Sequence, residues 1–90
     1  MTMHELMQRW ARETYSPSNS EVERKTFSEC LSQVRDLSMT YLGEDPAGLL
    51  NVLAMDWDRE SRAPYNANQE REIYAVCLEQ LKETVSGVVP

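Results

Sequence analysis

Glycine, histidine and cysteine are scarce in this chain, and basic side chains are in the minority. Each shortage removes a class of function. Three glycines, at positions 43, 48 and 87, cannot build a glycine-rich loop that cradles phosphate. The single histidine, His4, stands near the N-terminus with no partner at a fixed spacing, and a general base must be held in place to work. The two cysteines, Cys30 and Cys77, are too few for a disulfide scaffold. They read as reduced thiols acting as small hydrophobes, with a Cys30–Cys77 bridge between two helices as the alternative. A thiol set in an apolar stripe is a poor nucleophile, because burial disfavours the thiolate.

Long apolar runs are also missing. No stretch approaches the ~18 residues that a membrane span requires. His4, Glu5, Gln8, Arg9 and Arg12 break up the first dozen residues, so no secretory leader is read there. These two absences predict a cytoplasmic location and no membrane partner. The net charge is −6, from 15 acids against 9 bases. That disfavours direct nucleic-acid binding, which needs a basic face, and is compatible with a partner protein that has a basic surface. No alternation of apolar and polar residues is sustained, and no Asn-Gly or Asp-Gly hairpin signal occurs, so strands are not expected.

What remains is helical periodicity. Thr2 and Glu5 have capping-box spacing ahead of a first helix over about 3–15, with Met3, Leu6, Met7 and Trp10 on one stripe. Ser16-Pro17 ends it. Ser20 and Glu23 repeat the capping-box spacing for a second helix over about 20–42. Its apolar face is Phe27, Cys30, Leu31, Val34, Leu37 or Ser38, and Tyr41, and Gly43 stands at the C-cap. Asp45-Pro46 is an N-cap followed by a proline suited to the first helical position. It opens a third helix over about 46–61, with Leu49, Leu50, Leu53 and Trp57 apolar. A fourth helix over about 68–86 starts near Asn66 or Asn68. It carries a wide stripe of Ile73, Tyr74, Val76, Cys77, Leu78, Leu81 and Val85, and Gly87 ends it ahead of a loose 87–90 tail. The expected fold is one all-α domain over 1–90, a small four-helix bundle. The long second helix needs a comparable partner, within the chain or in a second copy, so a homodimer is one solution. No internal repeat is visible, because the helices differ in length and capping, and this leaves room for an ancient helix-hairpin duplication that the pattern does not reveal.

No catalytic constellation appears. No serine sits in a Gly-x-Ser-x-Gly elbow, and Asp56 and Glu60, one helical turn apart, lack the spacing of a calcium loop. No zinc-binding residues stand beside them. The chain is therefore read as a non-enzyme, with no cofactor and no metal. Charge placement is more telling. From Glu44 to Glu60 there are five acids (Glu44, Asp45, Asp56, Asp58 and Glu60) and only one base, Arg59. This reads either as a solvated helix face or as a docking surface. Tyr65, beside Pro64 and near this segment, has the flat ring that is enriched in interfaces. Glu44, Asp45, Asp56, Asp58, Glu60 and Tyr65 are thus the expected partner-binding residues of an interaction module: an inhibitor, adaptor, chaperone or regulatory subunit. A self-associating structural protein is the alternative. A nucleic-acid mimic ranks lower, because Arg24, Lys25, Arg35, Arg59, Arg62 and Arg71 interrupt the acids.

Overall fold

The computed structural model describes residues 2–40 and 46–88. Among them the chain forms four helices and no strand: α1 (Met3–Tyr15), α2 (Glu21–Thr40), α3 (Pro46–Arg62) and α4 (Asn68–Val88). The expected bundle is present. Tyr41, Gly43, Glu44 and Asp45 lie outside the described residues, as do the side chains of Leu37, Ser38, Leu49, Leu50 and Val85. Gly87 does not end α4, which runs on to Val88.

The helix starts follow local chemistry. The Thr2 hydroxyl accepts from the Glu5 amide at 3.1 Å, and the Glu5 carboxylate accepts from the Thr2 amide at 3.1 Å. Ser20 and Glu23 make the same reciprocal pair, at 3.2 and 2.8 Å. α4 starts at Asn68, within the expected range, but its cap differs from the other two. Its cap position is Ala67, which has no side-chain acceptor, so only the Glu70 half of the box forms, on the Ala67 amide at 3.1 Å. Asn66 is used differently. Its side-chain amide turns back to the Glu60 carbonyl and carboxylate, at 2.8 and 2.9 Å.

That turn has a twin. Asn19 donates to the carbonyl and carboxylate of Glu13, both at 2.9 Å. The backbone bonds match as well: Ser16 to Glu13 and Asn19 to Ser16 correspond to Ala63 to Glu60 and Asn66 to Ala63. Setting Trp10 on Trp57 aligns the whole of α1–α2 with α3–α4. The identities are then Leu6/Leu53, Trp10/Trp57, Arg12/Arg59, Glu13/Glu60, Pro17/Pro64, Asn19/Asn66, Glu23/Glu70, Arg24/Arg71, Cys30/Cys77, Leu31/Leu78 and Gln33/Gln80. Phe27/Tyr74, Val34/Leu81 and Arg35/Lys82 are conservative pairs. The helix-hairpin duplication that differing helix lengths and caps had hidden thereby becomes visible: the second hairpin repeats the first at 11 identical positions.

The two copies meet as the halves of an isologous dimer do, with a reciprocal pair of bonds between equivalent residues. The Trp10 indole N–H donates to Gln80 Oε1 at 2.7 Å, and that of Trp57 donates to Gln33 Oε1 at 2.6 Å. Residues at the seam meet their own equivalents. The Trp10 and Trp57 rings pack edge to face with centroids 5.6 Å apart, a geometry favoured by the ring quadrupoles. Cys30 and Cys77, both free, are both buried in the core. The proximity of Cys77, then burial, push the Cys30 thiol well above the usual range. α2 and α4 form the central pair, α1 packs on both, and α3 packs on both.

The core is Leu6, Trp10, Phe27, Cys30, Leu31, Val34, Leu53, Trp57, Ile73, Tyr74, Cys77, Leu78 and Leu81, drawn from all four helices. Burying both indoles costs little in polar terms, since each N–H has a glutamine acceptor. The wide apolar stripe of α4 is explained by its three neighbours. Val76 is the exception: expected in the core, it is exposed.

Candidate interaction surface

Among the described residues, Asp56, Asp58 and Glu60 do not share one helix face. Glu44 and Asp45 lie outside the described residues. Asp56 and Asp58 flank the buried Trp57 and so leave α3 in different directions, about 200° apart at 100° per residue. Each has a cation of its own. Asp56 pairs with Arg59 at 2.9 Å and Asp58 with Arg62 at 3.0 Å, and all four side chains are at least half exposed. Glu60 and Tyr65 are brought together. The Tyr65 hydroxyl donates to Glu60 Oε1 at 2.8 Å while Asn66 holds Oε2. The Asn66 bond, then the Tyr65 bond, hold the Glu60 carboxyl below its usual range. The same bond from Tyr65 raises the phenol's own pKa, since ionising it would forfeit the donor. Glu60 is thus committed to closing the α3–α4 turn, and the Tyr65 ring, 73% exposed, stands above it.

His4 is exposed and shares a 3.1 Å hydrogen bond with Gln8. Among the described residues no group of three His, Cys, Asp or Glu side chains is placed to hold a metal ion. No helix among them is long and apolar enough to cross a membrane.

The repeat reveals a different surface, which one-dimensional reading missed. Apart from Tyr15, the large apolar side chains exposed among the described residues are Val52, Met55, Tyr65 and Val76, all in the second hairpin. Their equivalents in the first hairpin are Glu5, Gln8, Ser18 and Glu29, every one polar. Val52 and Met55 lie three residues apart on α3 and share one exposed side of it. Met55, 77% exposed, also walls a shallow groove with Ala54, Asp58, Leu78 and Lys82 between α3 and α4. Charge diverges in the same sense. Arg9, Ala11, Lys25 and Ser32 are matched by Asp56, Asp58, Glu72 and Glu79. A self-alignment of the sequence at the Trp10–Trp57 offset would have exposed these differences. A comparison with protein-family models, curated proteins and solved structures yields no match.

Proposed function

We propose that this chain is a non-enzymatic protein-interaction module, acting as an inhibitor, adaptor, chaperone or regulatory subunit, and that its second hairpin docks a partner with a basic, partly apolar surface. One observation carries this reading. On a scaffold used twice, the second copy exposes Val52, Met55, Tyr65 and Val76 where the first shows polar residues to water. The fold does not need those apolar side chains, because the first copy does without them. Exposed apolar side chains that packing does not require are a mark of contact surfaces. The surplus acids of the same hairpin would steer a basic partner, though such charges set encounter rate and specificity more than affinity.

Self-association is the second reading; it is less favoured because Trp10, Trp57, Cys30 and Cys77 fill within the chain the seam that a separate hairpin would offer to a second copy. The test replaces second-hairpin residues by those already present in the first. Val52→Glu with Met55→Gln should abolish capture of a partner by the immobilised protein, leave the helical circular dichroism unchanged, and leave a monomer in light scattering. Capture that survives this exchange would defeat the assignment. A wild-type dimer that the exchange turns into a monomer would favour self-association instead.

A further inference from the structure

Near the N-terminal ends of α2 and α4 lies a cleft of about 380 Å³, walled by Val22, Lys25, Thr26, Glu29, Glu70 and Tyr74. A volume of this size suits a small group and falls at the lower end of ligand sites. Tyr74 is the informative wall. Its ring takes the core place that Phe27 takes in the first hairpin, and the residue is 9% exposed. Its hydroxyl, which Phe27 lacks, has no hydrogen-bond partner among the described residues. No fully buried side-chain nitrogen or oxygen among those residues is unsatisfied. The Tyr74 hydroxyl must therefore reach solvent, and the cleft is the space that Tyr74 lines.

The other polar groups on the wall are mostly acceptors. The Thr26 hydroxyl spends its proton on the Val22 carbonyl at 2.9 Å and offers only lone pairs. Glu70 uses Oε1 on the Ala67 amide and keeps Oε2 free. The Glu29 carboxylate has no partner among the described residues. Lys25 is the sole cation on the wall, and it is exposed. The equivalent positions in the other hairpin, Phe27, Ile73 and Val76 for Tyr74, Thr26 and Glu29, are apolar. Three wall positions are thus more polar than their equivalents, whereas Val22, Lys25 and Glu70 are matched by the polar Gln69, Glu72 and Glu23.

We propose that this cleft receives a guanidinium group, carried by an arginine side chain of a partner protein. The proposal rests on the reading of the chain as an interaction module and names a contact for its partner. A planar guanidinium brings five N–H donors, which suits two carboxylates, a phenol oxygen and a threonine oxygen. It is also less strongly hydrated than an ammonium, so a half-enclosed site costs it less.

The test uses the whole chain and Nα-acetyl-arginine amide, following the Tyr74 ring and Thr26 methyl signals by ¹H–¹³C NMR. Nα-acetyl-lysine amide and sodium chloride at matched ionic strength are the controls. Saturable shifts confined to the cleft are expected with the arginine probe, and smaller ones with lysine. Tyr74→Phe and Glu29→Val each install the residue of the other hairpin, so the fold should tolerate them. Each should weaken binding roughly three- to tenfold, as the loss of one partly exposed polar contact does. Lys25→Glu, which copies Glu72, should tighten it by a similar factor. Absence of saturable shifts, an equal response to lysine, indifference to Tyr74→Phe, or weakening by Lys25→Glu would each overturn the proposal. The probe needs no partner protein. Its failure would leave docking by the second hairpin standing, and failure of the Val52 and Met55 exchange would leave the cleft standing.

Discussion

The α1–α2 hairpin and the α3–α4 hairpin solve one folding problem with the same residues and face water with different ones. Both keep a tryptophan at the seam, a glutamine to receive the other copy's indole, a cysteine on the axis, and a Glu–Pro–Asn set to close the turn. Residues 1–43 hold six acids and five bases, whereas residues 44–90 hold nine acids and four bases. Exposed apolar side chains are concentrated in the second hairpin in the same way. Most positions held in common are those that packing and turn closure dictate, the exposed Arg12 and Arg59 being exceptions. Surface positions that differ are free of those duties, so a function carried by this scaffold has room to act there.

The largest effect should come from the shared positions. Trp10→Ala and Trp57→Ala each remove a fully buried ring and should cost about 3–5 kcal/mol. That is a large part of the roughly 5–15 kcal/mol typical of a domain. If the hairpins contribute equally to the seam, urea unfolding followed by circular dichroism should place the two losses within about 1 kcal/mol of each other, inside the spread such substitutions show. A wider gap would show that one copy dominates the core.

A smaller, pH-dependent effect separates the two turns. Glu60 is held below its usual range by Asn66 and then Tyr65. A depressed carboxyl adds stability that is present above its unfolded value, about 4.3, and is lost as pH falls through the lower folded value. Glu60→Gln should therefore destabilise the protein near neutrality, and its deficit should shrink as pH falls from about 6 to about 3. Tyr65→Phe keeps the asparagine arm and removes the one Tyr65 adds, for which Ser18 in the first turn has no counterpart. It should reproduce only part of that pH dependence. An unchanged dependence in Tyr65→Phe would assign the whole effect to Asn66. Smallest of all is the surface pairing on α3. Asp56→Asn should change stability by less than about 1 kcal/mol, because its partner Arg59 is itself exposed. A larger loss would show that the second hairpin depends on its surface charges for folding.

How far the sequence was legible depends on the range of the interaction. Thr2-x-x-Glu5, Ser20-x-x-Glu23 and Ser16-Pro17 mark helix boundaries because each acts within one turn of backbone, and all three signals are met in the structure. The stripes of α1 and α2 likewise mark the buried face, from Leu6 and Trp10 to Phe27 and Val34. Periodicity alone misled at Val76. It joins the α4 stripe by spacing yet lies beyond the arc that α1, α2 and α3 cover. Asp56, Asp58 and Glu60 looked alike as acids in a row. Only side-chain geometry gives two of them to arginines and the third to a turn.

The sequence by itself determined that the chain is helical, where each helix begins, and most of the side of each that turns inward, since these follow from backbone capping and a 3.6-residue period. Tertiary structure alone decided that two hairpins close on each other about a Trp–Trp and Cys–Cys seam. It also decided which apolar residues stay in water and which side chains line a common cleft. Those outcomes depend on pairs of residues far apart in the chain, such as Trp10 and Gln80, whose meeting no local spacing encodes.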